Sequence, residues 1–99
     1  MASYTVNKAK HAVLTPNTVD TVSFGDSVSF LIISNRTTSG SPIFFTFGDP
    51  SKGVPTPTVN GDDCYVVGIG MTLSLVGDGT ASDVKLISNG AQSYSVMVV

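Results

Sequence analysis

Glutamate is missing from this sequence: all seven acidic residues are aspartate (Asp20, Asp26, Asp49, Asp62, Asp63, Asp78 and Asp83). Aspartate bonds its own backbone in turns, whereas glutamate supports helices, so the chain has turns to make and no substantial helix. Cysteine occurs once, as Cys64, which excludes an internal disulfide and with it a secreted disulfide scaffold. Cys64 opens the apolar run Cys64-Tyr65-Val66-Val67 and reads as a small buried hydrophobe rather than a reactive thiol. Histidine also occurs once, as His11. One His and one Cys cannot form a tetrahedral zinc site without a run of Asp ligands, and a lone histidine without a neighbouring acid or a glycine-framed serine lacks the partners of a nucleophilic triad. Charge is scarce too, at 12% of residues with a net charge of −2, so the chain shows no basic face for nucleic acid. No apolar run approaches the length of a membrane span, and no charged-then-apolar leader opens the chain. The expectation is synthesis and folding in a bacterial cytoplasm, with no membrane partner.

What is present is period-two alternation. The 99 residues, 41% hydrophobic, suffice for one domain with one core. Residues 65–75 carry apolar side chains at every odd position (Tyr65, Val67, Ile69, Met71, Leu73, Leu75), which predicts a half-buried strand with a bend or bulge near Gly68–Gly70. Two hairpins are predicted from their turns. Gly25-Asp26 joins strands at 18–24 and 27–33, and Asn89-Gly90 joins strands at 84–88 and 91–99. Between them Pro42-Ile43-Phe44-Phe45-Thr46-Phe47 reads as a core strand, followed by an irregular, proline-rich segment at 49–63. An opening strand near 3–6 or 12–15 brings the total to six to eight. The predicted fold is all-β, a small antiparallel sandwich or barrel, with residues 1–14 as an N-terminal arm or edge strand and 15–99 as the domain proper.

Candidate chemistry is thin. Asn60-Gly61-Asp62-Asp63 and Gly77-Asp78-Gly79-Thr80-Ala81-Ser82-Asp83 offer oxygen ligands, but neither has the calcium-loop register with its closing glutamate, and turn chemistry accounts for both. Gly68-Ile69-Gly70 lacks the third glycine, lysine and helix start of a phosphate loop. Asn35-Arg36-Thr37 has glycosylation spacing without a secretory context. The expectation is therefore no enzyme, no catalytic residue, no metal and no cofactor. Interaction remains. In the first segment, polar residues alternate with Tyr4 and Val6, and Lys8 and Lys10 follow, a pattern that lets an arm add to a sheet edge in cis or in trans. Phe44 and Phe45 point to opposite faces, so either one ring anchors a partner or both are buried between two sheets. Tyr4, Val6, Lys8, Lys10 and Phe44 are the candidate partner-binding residues.

Three stretches carry a resemblance: Pro42-Ile43-Phe44-Phe45-Thr46-Phe47-Gly48-Asp49, Pro57-Thr58-Val59-Asn60-Gly61-Asp62-Asp63-Cys64-Tyr65-Val66, and Val84-Lys85-Leu86-Ile87-Ser88-Asn89-Gly90-Ala91-Gln92-Ser93-Tyr94-Ser95-Val96. With Asp20-Thr21-Val22 and Asn35-Arg36 in the same order, the chain resembles small β-rich virion proteins of tailed bacteriophages, especially those infecting actinobacteria. The likeness runs over residues 15–98 and rests on turns and strands. It implies no catalytic residues. It implies a virion structural protein, first a capsid decoration (cement) protein bridging major capsid subunits as a homo-oligomer, or else a tail or head–tail junction component. A carbohydrate- or host-surface-binding module is the rival of another class; such a module wants exposed aromatics, and the chain has no Trp and three Tyr.

Overall fold

Alternating β-branched and small polar residues give strands and little else. The structure, a computed structural model, describes residues 1–26, 28–77 and 79–99. Among them are nine strands: β1 (Ser3–Val6), β2 (Ala9–Val13), β3 (Asp20–Phe24), β4 (Phe30–Asn35), β5 (Ile43–Gly48), β6 (Tyr65–Val67), β7 (Thr72–Val76), β8 (Asp83–Ile87) and β9 (Ser93–Val98). One 3-10 turn at Pro50–Lys52 interrupts the 49–64 segment, capped by the Asp49 carboxylate, which accepts from Ser51 N. The strands form two sheets, β1-β3-β8-β5-β6 and β2-β9-β4-β7. The all-β sandwich expected from the sequence is the fold. Its strand count exceeds six to eight because both N-terminal pieces are strands and the 65–75 segment is two strands rather than one.

Leaving β1 aside, two four-stranded sheets remain, β3-β8-β5-β6 and β2-β9-β4-β7. Every connection except β5–β6 crosses from one sheet to the other, which is the jelly-roll topology. β1 extends the first sheet by pairing in parallel with β3, Tyr4 opposite Val22. The core lies between the sheets, where Val22, Phe24, Ile43, Phe45, Val67, Val84 and Leu86 of one face Leu31, Ile33, Tyr94 and Val96 of the other.

Neither expected hairpin exists. β3 lies in one sheet and β4 in the other, and the same holds for β8 and β9. Gly25-Asp26 and Asn89-Gly90 therefore sit in arches that carry the chain across the sandwich. Ser27, the expected first residue of a hairpin strand, lies outside the described residues. A type I′ turn needs positive φ at both central residues; neither Asn89 nor Gly90 has it. The expected bend at Gly68–Gly70 is such a crossing as well: Met71 N donates to Gly68 O at 3.0 Å and Gly70 takes φ 69°. Alternation through 65–75 thus joins one sheet to the other, and Ile69 and Met71 are exposed at the corner.

Polar residues clamp one end of the sandwich. Gln92 Nε2 donates to Asn35 Oδ1 at 2.9 Å and to Ser39 O at 3.1 Å. Its Oε1 accepts from Ser41 N at 3.1 Å, and Asn35 Nδ2 donates to Ser41 O at 3.1 Å. Ser88 Oγ donates to Pro42 O at 2.8 Å. These bonds tie the 36–42 segment to the 88–92 arch, so Asn35-Arg36 and Ser88-Asn89-Gly90 are fold-making motifs. Asn35 is buried and its amide engaged, which removes it as a glycosylation acceptor.

Candidate interaction surface

Among the described residues, the titratable and nucleophilic side chains are scattered over the fold. His11 lies on β2, where Nδ1 is 2.6 Å from Ser95 Oγ of β9, so the histidine does have a serine neighbour that the sequence hides. Ser95 is buried and His11 faces solvent, and no described carboxylate orients the ring. Cys64 is partly buried, its thiol donating to Asp62 O at 3.6 Å. Among the described residues no three His, Cys or Asp side chains converge on a point where a cation would sit. Of the two candidate calcium segments, Asp78 lies outside the described residues. In the other, Asn60 takes φ 56° in a tight turn closed by Gly61 N on Thr58 O at 2.9 Å, and Asp63 just after it takes φ 61°.

The expected partner-binding residues divide between the two faces of the fold. Tyr4 and Val6 lie on β1 and pack against the core, and Lys10 on β2 holds its ammonium 4.0 Å from the Tyr4 ring centroid. Lys10 therefore closes the side of the sandwich between β1 and β2, its aliphatic stem over the core opening and its charge on the ring face. Lys8 is exposed in the β1–β2 link. The first segment is paired within its own chain, through β1 on β3 and β2 on β9. Phe44 and Phe45 do point to opposite faces. Phe45 is in the core, and Phe44 lies on the outer face of its sheet yet only 9% exposed. The 49–64 segment folds over that face: Thr46, on the same side as Phe44, donates to Pro55 O, and Val54 and Pro57 are buried. Phe44 is covered by its own chain.

The open apolar surface lies on the other side of the sandwich, and three of its residues, Tyr65, Ile69 and Met71, belong to the apolar face that alternation predicts for a half-buried strand. β6 and β7 are the outer strands of the two sheets on that side. Between Cys64 and Gly77 the chain has no charged residue and no proline, the two devices by which sheet edges usually refuse partners. Tyr65 is 50% exposed, Val66 52%, Met71 61% and Val76 84%, and Ile69 lies beside them at the corner. Tyr65 leans on Phe45 with ring centroids 5.4 Å apart, so one face of the ring is fixed by the core and the other is open. Exposed apolar stretches on the outer strands of sheets are, as a class, associated with protein contact. The signal legible in the sequence is the charge-free run itself.

No protein-family model and no curated protein sequence matches the chain. Solved structures do match in shape. The crystal structure of PirA superposes with a TM-score of 0.55 at 18% identity, covering 95% of each chain. The pre-peptidase C-terminal domain of a Bacillus anthracis collagenase gives 0.53 at 16% identity, over 100% of this chain and 95% of that one. A structure of Bacillus endospore appendages, described as disulfide-linked pili, gives 0.52 at 11% identity over 92% and 87%. At such identities the likeness shows the fold alone.

Proposed function

We propose that this chain is a structural protein of a bacteriophage virion, a decoration protein that binds the head lattice and stabilises it by contact area. The observation that carries the reading is the charge-free β6–β7 side, where Tyr65, Val66, Ile69, Met71 and Val76 are exposed together on two free sheet edges. A lone domain with such a side tends to associate, and in a repeating lattice that tendency becomes attachment. The sequence resemblance to phage virion proteins supports the same reading, and its shared motifs, Asn35-Arg36 and Ser88-Asn89-Gly90, maintain the scaffold that presents this side. The scattered titratable groups fit a protein that works by binding. The jelly roll recurs in capsid and lectin domains, an analogy of fold only.

The mechanism is additive contact. Each bound copy buries apolar surface, a gain partly offset by the freedom lost on association, and repeated copies across subunit boundaries raise the barrier to opening the shell. Undecorated heads mixed with the purified protein should take it up in stoichiometric, repeated copies and gain resistance to heat and osmotic shock. Recovery with tails alone would move the protein to the tail or head–tail junction. Capture of a glycan with no binding to either would replace the structural role by a carbohydrate-binding one.

A further inference from the structure

The two sides of the sandwich are complementary to each other. In the sheet β2-β9-β4-β7 all pairings are antiparallel, so its two outer strands run in opposite directions. In the other sheet the parallel β1–β3 pairing is followed by three antiparallel ones, and its outer strands, β1 and β6, are opposed as well. A second copy displaced sideways, without being turned over, therefore brings its β2 antiparallel to β7 and its β1 antiparallel to β6. Antiparallel is the stronger pairing.

Hydrogen-bond parity agrees. Asn35 N donates to Met71 O and Gly77 N to Ser29 O, which places the odd-numbered residues of β7 in bonded pairs with β4. Thr72, Ser74 and Val76 then aim their N–H and C=O groups at the open side. On β2, Val98 N donates to Lys8 O and Leu14 N to Gln92 O, which leaves the backbone groups of Ala9, His11 and Val13 aimed outward. Each edge offers three residues at alternate positions, and their side chains lie on the outer face of the sheet. Leu73 and Leu75 on β7 and Ala12 on β2 pack against the core. Continuing the sheet keeps inner face with inner face, as a one-residue slip would not.

Charge selects the same arrangement. The start of β6 and the end of β7 lie at one end of the sandwich, with Asp62 and Asp63 exposed there. The β1–β2 link lies at that end too and exposes Lys8. A copy displaced sideways sets Lys8 beside the two carboxylates, whereas a two-fold dimer of β7 on β7 turns one copy end over end and separates them.

We infer that copies of this chain add head to tail, the β6–β7 side of one receiving the β1–β2 side of the next, with Thr72, Ser74 and Val76 opposite Val13, His11 and Ala9. Such a heterologous contact does not close at a dimer; it makes a ring or an open row. The inference goes beyond the shell reading by naming a second copy as the occupant of the side that reading uses, so that rows of copies rather than single ones would lie on the lattice; the contact between copies is tested without any shell. Cysteine placement tests it, in a Cys64→Ser background that removes the native thiol. In a bonded antiparallel pair Cα atoms lie about 5.5 Å apart, within disulfide reach. In one chain positions 11 and 74 are on opposite edges of a sheet, separated by β9 and β4, roughly 14 Å at about 4.8 Å per strand, too far to join. Under mild oxidation His11→Cys and Ser74→Cys proteins, each forming no covalent dimer alone, should form a mixed disulfide dimer when combined, and the double variant should give a ladder of covalent oligomers. Lys8→Asp should abolish the mixed dimer, and pairing it with an Asp62→Lys/Asp63→Lys partner should restore it. Unchanged thermal unfolding of each variant would establish that the folds are intact. A disulfide dimer from Ser74→Cys alone would show a two-fold contact and overturn the inference, as would the absence of any mixed dimer from folded variants.

Discussion

The phenol of Tyr94 donates a hydrogen bond to Asp20 Oδ2 at 3.0 Å across the sandwich, from β9 in one sheet to the start of β3 in the other, with both residues buried. It is a polar tie inside an otherwise apolar layer. Burial, reinforced by the adjacent Asp20 carboxylate, pushes the Tyr94 hydroxyl far above its ordinary pKa of 10.0. Tyr94→Phe keeps the ring and removes the donor, leaving a buried carboxylate short of a partner. The expected loss is about 1–3 kcal/mol, read as a lower denaturant midpoint with unchanged slope.

The same pair sets an alkaline limit. In the folded protein Tyr94 keeps its proton, while in the unfolded chain it ionises near 10.0. Unfolding then releases a proton at high pH, so this contribution to stability is full below 10.0 and declines above it, by at most ~1.4 kcal/mol per pH unit. Denaturant midpoints measured on either side of that pH should show the decline in the natural protein, and a smaller one in Tyr94→Phe.

Gln92 organises the clamped end of the sandwich, and two glycines make room for it. A Cβ at Gly90 would lie 2.9 Å from Gln92 Oε1, and one at Gly40, which also has φ 98°, would collide with that atom. Gly40→Ala should therefore destabilise more than Gly90→Ala, the first through both strain and collision, the second by displacing the amide. A double-mutant cycle with Gln92→Ala should show the Gly90→Ala penalty shrinking when the amide is gone. Equal penalties with and without Gln92 would mean that the backbone carries the effect.

These glycines show where the sequence was legible. Aspartate-only acidity and period-two alternation were enough for an all-β sandwich, because both report on local backbone preference. The crossings between β3 and β4 and between β8 and β9 were not legible. Gly-Asp and Asn-Gly mark a change of direction whether the next strand pairs with its predecessor or crosses to the facing sheet, and only long-range pairing decides between them. Ser88 and Gln92, polar yet buried, follow from the crossing. The candidate surface escaped for a related reason. Alternation holds on both strands, with Val67, Leu73 and Leu75 against the core. The crossing at Gly68–Gly70, however, leaves Ile69 and Met71 on the corner and Tyr65 half-covered on an edge strand, and a side-chain pattern does not show where a chain changes sheet. The interest of Lys10 was visible in the sequence, while its partner Tyr4 lies on a different strand of the other sheet.

The first segment, expected as an arm or an edge strand, contributes to the fold as two edge strands. Tyr4 and Val6 pack against the core, and β2 supplies the edge of the second sheet. Deleting residues 1–11 should lower stability markedly. Lys10→Ala, which strips the cation from the Tyr4 ring, should cost only about 0.5–1 kcal/mol. Thermal unfolding of both variants would rank them.

The exposed side chains of the β6–β7 side should behave in the opposite way. Met71→Ser and Val76→Lys touch surface positions, so each should change stability by no more than about 0.5 kcal/mol. Both should reduce association with the assembly sharply. A variant that binds as before would remove its residue from the contact.

The most direct measurement is imaging of assembled phage particles produced with and without this chain. The account predicts ordered density for the jelly roll at every equivalent position on the head lattice, its β6–β7 side occluded by a neighbour, and earlier rupture on heating when the chain is missing. Particles that carry no copy of the chain, or that carry it with the β6–β7 side free in solvent, would contradict it.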